Sequence, residues 1–457
     1  MKTQTTTQFL EYGPILKQMG IDFRAKEIWL LSGKTDFDNK WLLIITVKEW
    51  QMASLLRKIL PVVREANIPF KTVKNEEHHT LLNMGVYGEH LLGHNIILYT
   101  SSVDEANKMA QTLIPLMKDY FGPKPLYFLR IGENIYTGLT KMSNGARVEG
   151  EENNKRMEII TPPVKQLPFH IDKKFLINRK SVKLIKWKFL IHSTILSLPK
   201  NEIIKCMNVR NFQWCLLKYG KAHMSADSEG RDICNRYSWE KEVLIALNGK
   251  VKAPRFIDMF DMGEDPCLVM SYIEGETLEK KVLDYHENSS WKKMALSTQI
   301  DLLKYYSDVL SIIESIHNAG YVHRDIKDSN FIINEKREMF VIDFELAYSM
   351  IQKKPLPAFL LGTPGYVSPE QMTKQIPTVK EDIYSLGALL AFILSGKPPV
   401  DFITSIPALK TKLYEITGNQ EIVKLVTRCM GQQPSSRPTI AEIRESLDQY
   451  IQEIKQA

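Results

Sequence analysis

His323-Arg324-Asp325-Ile326-Lys327-Asp328-Ser329-Asn330 comes after a helical segment, Tyr305 to His317, and Gly320, and runs into the apolar strand Phe331-Ile332-Ile333. Asp343-Phe344-Glu345 closes the next strand, Met339 to Ile342. An Asp is thus followed by a Lys two residues on, an Asn five residues on and a second Asp eighteen residues on. Any one of these alone is ordinarily a loop carboxylate or a capping residue. All four in register, on loops joined by short strands, form a single chemical constellation.

The constellation resembles the catalytic loop and metal-binding loop of the eukaryotic-type protein kinases, whose fold is α+β and bilobal. Phosphoryl transfer asks little covalent help from protein. It needs a carboxylate by the attacking hydroxyl, a cation on the anionic face, and oxygen ligands for a metal bridging the phosphates. The resemblance implies ATP and Mg2+ as cofactors, with Mn2+ as a substitute. By motif match Asp325 would accept the hydroxyl proton, Lys327 would sit by the transferred phosphate, and Asn330 and Asp343 would hold the metals.

Upstream, the apolar strand Trp214-Cys215-Leu216-Leu217 ends in Lys218, matching the kinase lysine that reaches the α- and β-phosphates. A helical stretch from Tyr237 to Leu244 follows, and Glu240 is placed to pair with Lys218. Glu242 is the rival; Glu240 is preferred because Val243, Leu244 and Leu247 then fall on the core side. Leu268 to Gly275 resembles the strand and hinge that hold adenine, with Met270 at the back of the pocket and the backbones of Ser271 and Ile273 facing the base. Gly362 to Glu370 resembles the substrate-side loop and Asp382 to Gly387 the helix start that anchors the catalytic loop, while Arg437 would pair with Glu370. Ser349 and Thr363 are candidate autophosphorylation sites, with Arg324 beside Asp325 as the expected reader of added charge.

Two positions depart from the kinase pattern. The phosphate loop should lie between about Ile195 and Phe212, yet Leu198 to Asn208 contains no glycine, which puts close backbone approach to phosphates in question. The usual Gly after Asp343-Phe344 is Glu345, which resists positive φ and adds a carboxylate beside the metal site, so a stiffer loop is expected.

The resemblance narrows further. Lys218-Tyr219-Gly220-Lys221-Ala222-His223, Gly230-Arg231-Asp232, the Glu240 helix, Pro254 and Phe256-Ile257-Asp258 look like the kinase domain of class III lanthipeptide synthetases. Trp41 to Thr46, Ile68 to Lys71, Leu82-Asn83, Gly93 to Tyr99, Gly122-Pro123 and Leu129 to Gly132 resemble, in order, the lyase-side region of the same enzymes. Those synthetases phosphorylate Ser or Thr of a precursor peptide, eliminate the phosphate and cyclise the product with Cys. Elimination needs a base and an acid, in that family a Lys and a His. The family's Lys-x-His falls here on Trp41 and Leu43, leaving only Lys71 and Arg130 at candidate base and phosphate positions. The chain ends at Ala457, just after the helical stretch Ile440 to Ile454, which leaves no room for the zinc-binding cyclase domain. The resemblance therefore implies a Ser/Thr kinase acting on a peptide or protein substrate, with a separate lyase or cyclase as partner. A pseudokinase scaffold and a general signalling kinase are the alternatives.

Composition agrees with a soluble globular chain. The 457 residues are 44% hydrophobic and 25% charged, which excludes wholesale disorder, and the net charge of +7 is too small to make nucleic acid the expected partner. The five cysteines show no zinc-like spacing; together with a polar Met1 to Gln8 and no run of 18 apolar residues, they predict no transmembrane segment and a cytoplasmic protein. Strands are expected at Ile28 to Leu31, Trp41 to Ile45 and Asn95 to Tyr99. Helices are expected through Trp50, Leu55, Leu56, Ile59 and Val63 and from Val103 to Tyr120. Ser143 to Pro163 reads as an exposed loop or linker. Lys173 to Lys188 reads either as an element with a solvated basic face or as a docking patch for an acidic peptide. The expected division is a smaller α/β lyase-like domain at 1–160, expected to be degenerate; a linker and basic segment at 161–190; and a kinase domain at 191–457, its lobes meeting near 272.

Overall fold

A computed structural model describes residues 9–35, 41–126, 128–144, 155–160, 169, 171, 183–224, 226–227, 229–403 and 405–456. The Thr161-Pro162-Pro163 stretch and the basic residues from Lys173 to Lys180 lie outside them.

The first sheet is built from β1 (Arg24–Lys26), β2 (Trp29–Ser32), β3 (Trp41–Ile45), β4 (Phe70–Val73), β5 (Ile96–Tyr99), β6 (Leu129–Arg130), β7 (Ile135–Asn144) and β8 (Lys155–Ile160). With it come α1 (Gly13–Gln18), α2 (Glu49–Glu65), α3 (Glu76–Asn83) and α4 (Val103–Leu116). The strand order is β1-β2-β4-β5-β3-β7-β6, with β8 added to β7, and every pairing is antiparallel. The β3–α2–β4 connection leaves a gap that β5 fills, and β5–α4–β7 leaves one that β3 fills, which is the split β-α-β-β-α-β arrangement. The expected alternation of strands and helices is present, built on an antiparallel sheet. The reason lies in the sequence: Trp41–Ile45 and Ile96–Tyr99 are buried along their whole length, so these two strands take the middle of the sheet.

Trp41, Leu43, Ile45, Ile96 and Leu98 face the core that α2 and α4 cover, while Leu42, Ile44, Ile97, Tyr99 and Tyr136 line the opposite face. On α2 the buried stripe is Met52, Leu55, Leu56, Ile59, Leu60 and Val63; Trp50, expected with it, points away and is half exposed. The second helix stops at Leu116 rather than Tyr120, in a turn that leads to Gly122-Pro123. Lys155–Ile160, expected in a loop, pairs with β7, with Ile159 opposite Thr140. The polar linker composition is thus interrupted by a short strand with β-branched residues at its end.

The second sheet contains β9 (Leu184–Ile185), β10 (Phe189–Ser197), β11 (Asn201–Asn208), β12 (Gln213–Gly220), β13 (Phe256–Met262) and β14 (Asp265–Ser271), in the order β13-β14-β12-β11-β10-β9. Against it packs α5 (Ile233–Leu247), whose Val243, Leu244 and Leu247 are buried. Each contributes about 1.5–3 kcal/mol relative to exposure.

Below lie β15 (Glu276–Thr277), α6 (Leu278–Asn288), α7 (Leu296–Asn318), β16 (Tyr321–Val322), β17 (Phe331–Ile333), β18 (Met339–Val341) and β19 (Tyr348–Ser349). They are followed by α8 (Val379–Ser395), α9 (Pro399–Phe402), α10 (Ile406–Thr417), α11 (Gln420–Cys429) and α12 (Ile440–Gln456). The α8 helix is buried from Ile383 to Leu394 apart from Tyr384, and α7, α11 and α12 share its core. Among the described residues no helix is long and apolar enough to cross a membrane.

The first unit docks on the second sheet and on the start of α5. Lys124 Nζ lies 2.5 Å from Asp265 Oδ1, Arg130 Nη2 lies 3.1 Å from Glu264 Oε1, and Lys48 Nζ lies 3.7 Å from Asp232 Oδ2. The displaced Trp50 finds its place here: its ring lies against Gly230, whose φ of 79° and lack of a Cβ both make room for it.

Candidate active site

The loop 323–330 is shaped before any ligand is considered. Asp382, near the start of α8, accepts the backbone N–H groups of His323 and Arg324, each at 2.8 Å, and holds Arg324 at a φ of 67°. His317 Nε2 sits 2.8 Å from the same carboxylate, which is held below its usual range by that histidine despite the burial that opposes ionisation. The buried His323 ring packs on Phe344 at 5.3 Å, tying this loop to the one that carries Asp343.

Within the loop, Asn330 Nδ2 donates to the Asp325 carbonyl at 2.8 Å and to its carboxylate at 3.0 Å. Lys327 Nζ lies 3.1 Å from Asp325 Oδ2. Thr363 donates its hydroxyl to Asp325 Oδ1 at 2.8 Å and accepts from Lys327 at 3.3 Å. Burial alone would lower the Lys327 ammonium, but Asp325 and Asp343 raise it. The result is a carboxylate fixed by three donors and open on one side of a cleft.

Across the cleft, Lys218 Nζ lies 2.7 and 2.9 Å from the two Glu240 oxygens and 3.1 Å from Asp343 Oδ1. Glu240 Oε1 also accepts from the Phe344 N–H at 3.3 Å. Burial works against the Lys218 cation, but Asp343 and Glu240 hold it well above its ordinary value. Asp343 is likewise driven well below the carboxylate range by Lys218 and Lys327, against its burial. The rival Glu242 is not drawn into this cluster, because its neighbours Val243 and Leu244 occupy the core side.

Met270 is fully buried in β14, opposite Leu216 of β12 and behind the cleft. Ser271 ends that strand with its N–H donated to Arg255 O at 2.9 Å, and Ile273 follows beyond the strand at a half-buried position.

An implied divalent cation can be tested against these donors. Asn330 uses its Nδ2 on Asp325, which leaves Oδ1 as a neutral oxygen donor, and Asp343 is ionised. Among the described residues no three His, Cys, Asp or Glu side chains gather to hold a metal by themselves. That fits Mg2+, which takes one or two protein oxygens and completes its shell with phosphates and water.

Other residues singled out in the sequence lie outside these clusters or serve within them differently. Lys71 and Arg130 share the sheet face opposite Trp41 and Leu43, but β5, β3 and β7 stand between their strands, so the sheet keeps them roughly 19 Å apart at about 4.8 Å per strand. Lys71 lies over the Trp29 ring and Arg130 is committed to Glu133 and Glu264. Ser349 is buried in β19, and Thr363 is spent on Asp325. Arg324, expected to read a phosphate, is buried and pairs with Glu381 at 2.8 Å. Glu345 does not adopt positive φ, and its N–H returns to Asp343 at 3.2 Å.

Sequence reading missed the role of Thr363 and the partners of Glu345, which are Lys200 at 3.7 Å and Arg236 at 3.5 Å. The signal for Thr363 was its place in Gly362-Thr363-Pro364 ahead of Glu370. For the Glu345 partners there was only the coincidence of two missing glycines.

Comparison with known proteins agrees with this geometry. The chain is 29% identical over 194 residues to a probable serine/threonine-protein kinase, pknA2, of Bifidobacterium longum, covering 42% of this chain and 24% of that one. It is 29% identical over 195 residues to serine/threonine-protein kinase B of a Synechocystis species, covering 40% and 32%. It is 27% identical over 220 residues to serine/threonine-protein kinase PknL of Mycobacterium bovis, covering 47% and 51%. The matches therefore span from about a quarter to about half the length of these relatives. The family model for the protein kinase domain matches residues 201–447, more than half of the chain, and the chain belongs to that family.

Proposed function

We propose that the chain is an ATP-dependent protein kinase that phosphorylates Ser or Thr. The observation that carries this reading is the pair of facing clusters, Lys218–Glu240–Asp343 on one side and Asp325–Lys327–Asn330 on the other. In this reading Met270 backs the adenine, and the backbones of Ser271 and Ile273 face it. Lys218, aligned by Glu240, meets the α- and β-phosphates, while Asn330 Oδ1 and Asp343 hold Mg2+, with Mn2+ as a substitute. A metal held by these two residues would neutralise charge on the phosphates. Asp325 accepts the proton of the substrate hydroxyl and orients its oxygen, held in place by Thr363 and Asn330. Lys327 offsets charge on the transferred group.

The finer reading concerns substrate. Residues 1–160 act as a lyase-like recognition unit without elimination chemistry, residues 161–190 as a linker, and residues 191–457 as the kinase. Trp41 and Leu43 sit in the helix-covered core, where no acid could reach a leaving phosphate, and this supports a kinase that leaves elimination to a separate lyase or cyclase. The substrate is then a Ser/Thr-containing precursor peptide. The names of the relatives favour a second reading, a kinase of ordinary proteins.

Radiolabelled ATP with Mg2+ tests the first claim. Transfer to a Ser/Thr peptide or protein should occur and should fall roughly 10²- to 10⁴-fold in Asp325→Asn while ATP still binds. ATP binding with no transfer sensitive to Asp325→Asn would sink the enzyme reading. Preference for unfolded Ser/Thr/Cys peptides over folded proteins separates the two substrate readings.

A further inference from the structure

The turn over the cleft, Leu198-Pro199-Lys200 between β10 and β11, is closed by Leu198 N–H to Asn201 O at 2.8 Å and contains no glycine. Its backbone is held from behind: Lys221 N–H donates to Lys200 O at 2.9 Å, and Asn201 Nδ2 donates to Tyr237 of α5 at 3.2 Å. A turn with side chains and a proline, anchored in this way, cannot lower its N–H groups onto phosphates as a glycine turn does. What it does present is a cation.

Lys200 Nζ lies 3.7 Å from Glu345 Oε1, and Arg236 Nε of α5 lies 3.5 Å from Glu345 Oε2. The two positions where the family pattern has glycine are therefore in contact with each other, one as a base and one as an acid. Their surroundings are unequal. The Arg236 side chain is 1% exposed and fixed on a helix, whereas the Lys200 side chain is 36% exposed on a turn. The ion pair on the Lys200 side is long and open to water, so it is weak and exchangeable, and lysine is a flexible point charge suited to changing partners. Glu345 also adjoins Asp343, so it marks the side of the cleft where the phosphates of a nucleotide would lie.

We propose that Lys200 is a phosphate-binding residue of the nucleotide site, parked on Glu345 until a nucleoside triphosphate draws it across. This rests on the reading of the cleft as a nucleotide site. Side-chain charge at the turn then replaces the backbone N–H groups that a glycine loop supplies. Arg236 is a positioning residue: it keeps Glu345 neutralised after Lys200 leaves, so that no uncompensated carboxylate faces the incoming triphosphate.

Calorimetric titration of the full chain with ATP and with adenosine, at fixed Mg2+, tests this without turnover. Lys200→Met should weaken ATP by roughly tenfold or more, the scale of one lost charge-assisted contact, and leave adenosine unchanged. Lys200→Arg should restore ATP affinity. Glu345→Gln, which frees Lys200, should tighten ATP, and the gain should vanish when Lys200→Met is added. Unchanged ATP affinity in Lys200→Met overturns the proposal alone. An equal loss for ATP and adenosine also overturns it, because the residue then only shapes the turn. A native chain that binds adenosine but not ATP, or neither, overturns the nucleotide reading as well.

Discussion

Lys48, the residue that precedes α2, reaches across to Asp232, the N-cap of α5: Nζ lies 3.7 Å from Asp232 Oδ2 and 3.4 Å from Gly230 O. Asp232 also accepts from Cys234 N–H at 2.9 Å and His223 N–H at 2.8 Å. Its carboxylate is driven well below its usual range by His223 and Lys48 in spite of burial. The first unit thus holds one end of the helix whose middle bears Glu240. Lys48→Met should destabilise the chain by about 1.5–3 kcal/mol, the range for a hydrogen bond to a charged group, read as a lower urea midpoint. It should also weaken ATP binding, although Lys48 lies outside the cleft. An unchanged ATP affinity with lowered stability would separate the interface from the alignment of Glu240.

Thr363 gives a second prediction. Thr363→Val removes a donor to Asp325 and an acceptor for Lys327, so kcat should fall on the order of 10²-fold through misplacement of the carboxylate. Nucleotide affinity should stay native. Thr363→Ser, which keeps the hydroxyl, should recover most of the rate, and a Thr363→Ser variant as slow as the Val variant would refute the hydrogen-bond account.

Acid should destabilise the first unit through two buried histidines. Burial lowers His79 to about 4, with Val47 O and Asn95 opposing, and burial with Lys71 and His90 lowers His94 to about 3. Both are below the unfolded value near 6.5, so the native state binds fewer protons between these limits. The stability they carry is complete above about pH 6.5 and is lost as pH falls toward 4. At pH 5 the two together should cost roughly 4 kcal/mol relative to neutral pH, at about 1.36 kcal/mol per unit each. Thermal melts from pH 7.5 to 5 should show it, and His79→Gln should flatten the curve.

Arg437 is buried with Glu370, Nη2 to Oε2 at 2.9 Å, and also donates to Lys380 O at 2.7 Å. Arg437→Met strands the glutamate, and breaking such a pair costs about 3–5 kcal/mol. The midpoint of denaturant unfolding should fall accordingly. A change under 1 kcal/mol would show that water reaches Glu370 freely.

The spacing of Asp325, Lys327, Asn330 and Asp343 was legible because one hairpin, β17 and β18, carries both loops. Lys218 and Glu240 were legible because an apolar strand carries one lysine near its end, and the burial of Val243, Leu244 and Leu247 puts Glu240 rather than Glu242 on the side that meets it. The Lys200–Glu345 contact was not, since it joins residues remote in sequence and depends on how the turn leans over the cleft. Arg324 reads as a phosphate sensor from its neighbours alone; the discovery of Glu381 against it needed the fold of α8. Trp50 fits the helical period of α2, yet its partner Gly230 belongs to the other unit. Long-range insertion of β5 between β3 and β4 likewise leaves no local trace.

The docking of Lys48, Trp50 and Lys124 on Asp232, Gly230 and Asp265 has a temporal side as well. A chain is synthesised from its N-terminus and its domains generally fold in that order. The β3–α2 edge is therefore complete before residue 230 has been added, and the nascent α5 meets a finished surface bearing its capping lysine. By this ordering, α5 emerges onto a surface that the first unit and β10 to β12 have already supplied, while β13 and β14, which complete its sheet, are still to be made.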